Sequence, residues 1–207
     1  LYVVYFTVAS FLRYDNFYAG RYDLGNMDQV VWNTKHGRIF QISTDDINRP
    51  GVVSRLSTHA DFILIVLAPF YFVWSNPKML LLIQTIIMAT GAVFVFLISR
   101  KILQNKNLSI ILAFIYLINP GLQHANLYDF HSVTLATTFL LGAFYFLIEK
   151  RFGWFLLFAL LAALTKEQVW VIISLFGLYI IISQILKYFN KNPNESWSIK
   201  QILLGIV

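Results

Sequence analysis

Long apolar stretches alternate with short polar connections along most of this chain. The apolar runs cover residues 1–12, 61–74, 79–98, 108–118, 133–148, 152–165 and 168–186. A helix needs about 20 apolar residues to cross the hydrocarbon core of a membrane, and runs of about 10–14 residues are ambiguous. Runs 79–98 and 168–186 are long enough to span by this measure. The pattern predicts an all-α, polytopic helical membrane protein.

The positive charges predict which side of the membrane each connection faces. Lysine and arginine gather after three of the runs, as Arg100, Lys101, Lys106, Lys150, Arg151, Lys187 and Lys191. Cytoplasmic connections of membrane proteins are enriched in these residues. All of them fall on the cytoplasmic side if every run from 79–98 onward crosses and run 61–74 lies in the interface. Pro69 and Pro77 favour a helix in 61–74 that stops before crossing.

This topology divides the chain into one long external loop and a series of spans. Residues 1–12 are predicted as a partial first span, 13–78 as an external loop with interfacial helices, and 200–207 as the start of a further span. The spans between them are 79–98, 108–118, 133–148, 152–165 and 168–186. The chain is therefore predicted to be the N-terminal part of a single transmembrane domain.

One segment of the external loop has the periodicity of an amphipathic helix. Its apolar positions are Leu24, Met27, Val30 and Val31. This spacing places them on one helical face. Asp23 marks the predicted start of the helix and Gly37 its end. An amphipathic helix of this kind is suited to lying on the bilayer surface.

Composition strengthens the membrane prediction. Hydrophobic residues make up 58% of the chain and charged residues 13%, whereas soluble domains are about 45–50% apolar and about a quarter charged. The absence of cysteine excludes disulfides, thiolate metal sites and cysteine nucleophiles. The net charge of +6 does not predict nucleic-acid binding, because the basic residues sit at the ends of apolar runs. The predicted partner is the lipid bilayer.

The predicted topology brings three polar clusters to the non-cytoplasmic side. They lie within loop 13–60, in the turn 119–131, and at the hairpin tip 166–167. The first contains residues 21–29 (RYDLGNMDQ), a polar island in an apolar chain. Polar groups kept close to hydrocarbon are costly, so their presence predicts a functional site on this side.

Asp23 and Asp28 in the polar island have separate interpretations. Asp23 is suited either to capping the interfacial helix or to acting as a general base that takes a proton from an acceptor hydroxyl. Asp28 lies five residues further along, about 140° around the helix, so the two acids do not share a face. Asp28 is predicted to be a solvated residue, with catalysis or metal binding as the alternative. Arg21 is suited to binding either a lipid headgroup or a phosphate leaving group.

The other two clusters offer acids, imidazoles and a cation. Asp129 and His131 are suited to an acid–imidazole pair, to part of a metal site, or to capping the helix that follows. Lys166 and Glu167 form either a surface salt bridge or helix-turn tip, or, through the lysine, a site for a phosphate leaving group. His59 at a helix entrance is suited to a structural hydrogen bond.

Several well-known catalytic motifs are absent from the sequence. It contains no Gly-x-Ser-x-Gly turn, no His-Glu-x-x-His helix and no phosphate-binding glycine loop. No cofactor and no metal site are predicted, and a divalent metal ion stays an open alternative.

Five motifs together resemble a family of predicted bacterial and archaeal multi-pass membrane proteins, a domain of unknown function. The motifs are 21–29 (RYDLGNMDQ), 32–37 (WNTKHG), 59–61 (HAD), 126–131 (NLYDFH) and 164–167 (LTKE). They cover nearly the whole chain. The family resemblance implies a protein of a bacterial or archaeal cell membrane.

The layout is in turn similar to that of the GT-C membrane glycosyltransferases. This similarity implies a polyprenyl-phosphate-linked sugar donor and an active side that is non-cytoplasmic. It implies that Asp23 is the essential acidic residue of the active site, that His59 is an active-site position and that Lys166 is a basic position. The substrate-binding set is predicted as Arg21, Asp28, His59, Asp129, His131, Lys166 and Glu167. Because Leu24 follows Asp23 where protein mannosyltransferases have a second acid, the similarity implies no particular sugar or acceptor.

Two other classes of function remain alternatives. In a membrane transporter or flippase, Lys166 and Glu167 would mark a substrate or proton path within the membrane. In a non-catalytic membrane protein, the polar clusters would serve structure alone. Transporters often contain repeated halves, and this sequence has no visible internal repeat.

Overall fold

A computed structural model describes residues 1–19, 23–44 and 51–189, and these residues are mostly helical. The helices are α1 (Tyr2–Asp15), α2 (Asp23–Lys35), α3 (Ile63–Leu67), α4 (Lys78–Leu103), α5 (Lys106–Ile118), α6 (Pro120–Tyr128), α7 (Ser132–Ile148), α8 (Phe152–Ala163) and α9 (Val169–Phe189). Two short 3₁₀ helices cover Arg55–Ser57 and Ala68–Phe72. The prediction of a helical membrane protein is confirmed. Residues 200–207 lie outside the described residues.

The segment between α1 and α4 contains a small β ribbon that the sequence pattern did not predict. Strands β1 (Gln41–Thr44) and β2 (Gly51–Ser54) pair antiparallel, with Gln41 opposite Ser54. The ribbon is fastened to α2, because the Gln29 side chain donates to Ser43 Oγ over 3.0 Å and accepts from the Ser43 N–H over 3.1 Å.

Two of the described helices are long and apolar enough to cross a membrane, namely α4 and residues Val169–Leu186 of α9. Helices α5 and α6 would add a third crossing if they act as one span bent by 41°. The bend arises at Asn119 and Pro120. The Asn119 side chain accepts a hydrogen bond from the Leu122 N–H over 3.1 Å, and proline occupies the first turn of α6. Which segments cross stays a prediction.

Helices α4, α5, α7 and α8 pack closely through small residues. Gly142 on α7 lies against the Phe158 ring of α8, where a Cβ would collide with the ring. Gly91 on α4 similarly makes room for Tyr116, whose hydroxyl donates to the Met88 carbonyl over 3.0 Å. Small residues at helix contacts of this kind are typical of membrane helix bundles.

The bundle has two chemically different ends. At one end the start of α4 meets the start of α7, since Gln84 accepts a hydrogen bond from the His131 N–H over 3.0 Å. The α8–α9 turn lies at this same end, which we call the polar end. At the opposite end Lys101 pairs with Glu149 at 2.7 Å, and Arg100, Lys150 and Arg151 are their neighbours in the chain. We call it the basic end.

The apolar face of α2 contacts protein and not lipid, which corrects the sequence interpretation. Its four apolar residues, Leu24, Met27, Val30 and Val31, are at most 4% exposed. They join one core with residues of α3 and α7, including Leu64 and Leu135. The helix itself was predicted correctly. Its apolar face is covered because the segment between α1 and α4 supplies its own apolar elements, α3 and the 3₁₀ helix that follows.

Candidate functional site

Asp23 and His131 come together at the polar end. The Asp23 Oδ2 atom lies 3.5 Å from His131 Nε2, and the side chains are 44% and 27% exposed. Asp23 is the first residue of α2 and lies one turn before Met27. The Met27 sulfur accepts a hydrogen bond from Ser132 Oγ at 3.8 Å. The first two turns of α2 therefore pack against the start of α7, leaving an acid and an imidazole accessible.

A buried glutamine, Gln84, positions the backbone around His131 through hydrogen bonds. Gln84 has no exposed surface. Its Oε1 accepts from the His131 N–H at 3.0 Å and from the Thr134 hydroxyl at 2.8 Å. Its Nε2 donates to the carbonyl oxygen of Asp129 over 2.9 Å. Sequence reasoning missed Gln84, although an amide within a long apolar run was the available signal.

The structure gives His131 a neighbour that the sequence did not predict. The sequence predicted Asp129 as one candidate partner of this ring, and Asp23 lies near its Nε2 atom. The Asp129 side chain is 2% exposed and lies in the interior of the polar end. His131 is also the N-cap residue of α7, but its side chain makes no capping hydrogen bond. Its ring is therefore available to Asp23.

His59 and Glu167 form a second pair at the polar end. His59 Nδ1 lies 3.0 Å from Glu167 Oε1, and the Ala60 N–H donates to Glu167 Oε2 over 2.9 Å. The Ile63 N–H also donates to the Leu164 carbonyl over 2.7 Å. These contacts fasten the segment before α3 to the α8–α9 turn. The backbone N–H of Ala60, then that of Glu167 itself and the His59 ring, lower the pKa of Glu167 to about 2.

We expect Glu167→Gln to destabilise the protein in a pH-dependent way. The lowered pKa of Glu167 stabilises the folded protein at pH values above 4.5, the ordinary pKa of this carboxyl. This stabilisation is lost as the pH falls towards about 2. The unfolding midpoints of wild type and variant should therefore differ most above pH 4.5 and converge on acidification. Midpoints measured from pH 2 to 7 check this expectation. A difference that stays constant over this range would contradict it.

Lys166 lies beside this pair but does not join it. Lys166 and Glu167 lie in a turn between two helices, as one interpretation predicted, and they do not form a salt bridge with each other, because Glu167 pairs with His59. The Lys166 side chain is half-buried, and its ammonium group makes no hydrogen bond or ion pair with any residue in the described part of the chain. The turn between α8 and α9 thus presents a cation that is available to an anionic group.

Asp28 is bound within the protein and is not simply solvated, which is a further correction. The Tyr71 hydroxyl donates to Asp28 Oδ1 over 2.5 Å, and Tyr71 itself is 1% exposed. Burial raises the pKa of Asp28 above its ordinary value, and the Tyr71 hydrogen bond opposes that rise. Asp23 and Asp28 therefore have different partners, as their separation around the helix predicted.

A buried ion pair closes the loop that carries His59. Arg55 Nε and Nη2 each lie 2.8 Å from Asp61 Oδ2, and the side chains are 12% and 1% exposed.

Arg21 lies outside the described residues. Within residues 1–19, 23–44 and 51–189, no group of three or more His, Asp or Glu side chains is arranged to hold a metal ion.

Comparison with known proteins supports the membrane assignment. A family model described as "Predicted membrane protein (DUF2079)" matches residues 13–207. This match confirms the resemblance that the five motifs indicated. A search of curated proteins and a search of solved structures found no match.

Proposed function

This chain belongs to the DUF2079 family of predicted membrane proteins, and we propose that it is a GT-C-type glycosyltransferase. Its donor would be a polyprenyl-phosphate-linked sugar, used on the non-cytoplasmic face. The observation that carries the proposal is the contact of 3.5 Å between Asp23 and His131. An accessible acid–imidazole pair at the end of a membrane helix bundle suits proton transfer at a water–lipid boundary.

The pair is suited to the transfer of a sugar from the donor to an acceptor hydroxyl. Asp23 accepts the proton of an acceptor hydroxyl while that oxygen forms a bond to the anomeric carbon of the donor sugar. The bond between the anomeric carbon and the phosphate oxygen breaks, and polyprenyl phosphate leaves with the electron pair. His131 acts as a positioning residue, since an N–H at Nε2 would hold Asp23 Oδ2 in place. Long contacts of this type often shorten when substrate binds.

Lys166 is suited to stabilising the phosphate that leaves. Its ammonium group has no counterion in the described part of the chain. A cation in a setting of low dielectric stabilises developing negative charge much more strongly than it would in water. Lys166 lies in a turn between two helices, at the end of the bundle. This position supports an enzyme, because the polar path of a transporter would run between the helices. Arg21 stays a second candidate for this role.

The bundle also offers room for a lipid chain. A cavity of about 530 Å³ lies between α4, α5, α6 and α7, with Met88, Ile115, Leu122 and Val133 among its mostly apolar lining. The cavity adjoins the α5–α6 bend, close to the polar end. An apolar groove beside a polar site would suit the isoprene units of the donor.

The proposal is tested by following polyprenyl phosphate, which is a product whatever the acceptor. Full-length protein in proteoliposomes would be given a set of radiolabelled polyprenyl-phosphate sugars. We expect polyprenyl phosphate to be released from at least one donor in proportion to the amount of protein. Failure to release it from any donor, with native membrane extract supplied as acceptor, would contradict the proposal.

The non-cytoplasmic location of the polar end gives a separate prediction. The 207 residues contain no cysteine, and Ser57 and Asn107 are exposed residues near the polar and basic ends. In intact cells a membrane-impermeant maleimide should label Ser57→Cys in the full-length protein. Asn107→Cys should be labelled only after permeabilisation, and wild type provides the background. The reverse pattern would place the polar end in the cytoplasm.

A further inference from the structure

A groove lies beside the candidate catalytic pair. It occupies about 610 Å³ between the end of α1 and the first turns of α2, and its lining includes Tyr14, Asp15, Phe17, Gly25 and Asp28. The groove is next to Asp23 in the chain, because Leu24 and Gly25 also border it. None of the contacts described for Asp23, His131 or Lys166 uses it. Its volume falls within the range of small-molecule sites.

The two carboxylates of the groove differ in their partners. Both oxygens of Asp15 bind the Lys78 ammonium, at 2.7 and 2.8 Å, so its charge is offset. Asp28 uses Oδ1 to accept from Tyr71 and has no other hydrogen bond with the described residues. Asp28 Oδ2 is therefore available to a ligand that donates hydrogen bonds. An anionic ligand would be repelled by this carboxylate.

Phe17 occupies a backbone position that its side chain does not favour. Its φ is +61°, a left-handed conformation that is uncommon for bulky residues. The Tyr18 N–H donates to the Arg13 carbonyl over 2.9 Å, and the Phe17 N–H donates to the Tyr14 carbonyl over 3.1 Å. Glycine is the usual residue at this position of such a helix end. The Phe17 ring is 94% exposed, so neither the turn nor the core accounts for it.

We propose that this groove binds a sugar ring. Asp28 Oδ2 would accept hydrogen bonds from sugar hydroxyls, while the Phe17 and Tyr14 rings would pack against the apolar C–H face of the ring. Aromatic rings contribute large contact areas to binding sites of this kind. That the bound sugar is the acceptor of transfer rests on the proposed function. The binding itself does not.

Gly25 allows the groove to be filled without disturbing the core. A Cβ added to Gly25 would have no atom within 4 Å, and the residue lies on the exposed side of α2. Gly25→Ala should fold at least as well as wild type, because alanine favours a helix more than glycine does. Gly25→Phe should place a ring in the groove. The two variants form a matched pair, because only Gly25→Phe should fill the groove.

Binding can be measured by saturation-transfer NMR with methyl glycosides of glucose, galactose, mannose and N-acetylglucosamine. The full-length protein would be held in lipid nanodiscs, which contain no sugar detergent. We expect wild type and Gly25→Ala to bind at least one glycoside, and Gly25→Phe to bind it at least about ten-fold more weakly. Phe17→Gly should also weaken binding without lowering the unfolding temperature, since glycine suits the turn.

Each other outcome overturns a definite part of the proposal. If wild type binds none of the glycosides, or Gly25→Phe binds as well as Gly25→Ala, the groove is not a sugar site. If Phe17→Gly binds glycosides normally, and the Phe17 ring of the wild type contacts lipid acyl chains, Phe17 is a membrane anchor and not a stacking residue. Normal glycoside binding by wild type without any polyprenyl phosphate release would reject the transfer reaction alone.

Discussion

Asp23→Asn is expected to slow polyprenyl phosphate release by about 10²–10⁴-fold, the usual contribution of a general base. Asparagine has the shape of aspartate but cannot accept the proton of an acceptor hydroxyl. The Asp23 side chain is 44% exposed, so the change removes no buried packing. The measurement is the initial rate of release per amount of full-length protein in proteoliposomes, at saturating donor.

A carboxylate at the basic end serves as the control for this variant. Glu149 pairs with Lys101 at 2.7 Å and its side chain is 23% exposed. Glu149→Gln should therefore retain the wild-type rate, which separates loss of a base from a general loss of negative charge. If Asp23→Asn releases polyprenyl phosphate as fast as Glu149→Gln does, Asp23 is not the base.

The largest stability effect is expected at Arg55. Arg55→Met would leave the Asp61 carboxylate, which is 1% exposed, without its cation. Removing one partner of a buried ion pair costs about 3–5 kcal/mol, because the remaining charge is uncompensated. The free energy of unfolding should fall by this amount. It can be measured by circular dichroism during titration of the micellar protein with sodium dodecyl sulfate.

Two further variants show whether the buried charge is the cause. Replacing both partners, as Arg55→Met with Asp61→Leu, should restore most of the lost stability because no charge stays buried. Arg38 is exposed and hydrogen-bonds to Asn33, so Arg38→Met should cost less than about 1 kcal/mol. A double variant as unstable as Arg55→Met alone would mean that the loss comes from packing.

Local patterns were sufficient to predict the helix that carries Asp23. The spacing of Leu24, Met27 and Val30 predicted the apolar face, and Asp23 and Gly37 predicted the approximate bounds of the helix. The structure begins the helix at Asp23 and ends it at Lys35, with Gly37 at a φ of +81°. These features depend only on residues that are close together in the chain, so they can be predicted from the sequence alone.

The partners of this helix could not be predicted, because they come from distant segments. Periodicity shows which face of α2 is apolar but not what covers it, so a protein contact was taken for a lipid contact. Asp23 and Asp28 have different partners, as helix geometry predicted, whereas Tyr71 as the partner of Asp28 depends on where the following segment folds. Topology indicated that His59 and Glu167 share a side. Their contact of 3.0 Å is a result of tertiary packing.

A double variant tests whether Asp23 and His131 act as one unit. Release of polyprenyl phosphate would be measured for Asp23→Asn, His131→Gln and the two combined. If His131 works by positioning Asp23, the combined variant should be no slower than Asp23→Asn alone, since residues that act as a unit are strongly non-additive. Rate losses that multiply would contradict the account, because the two residues would then act independently.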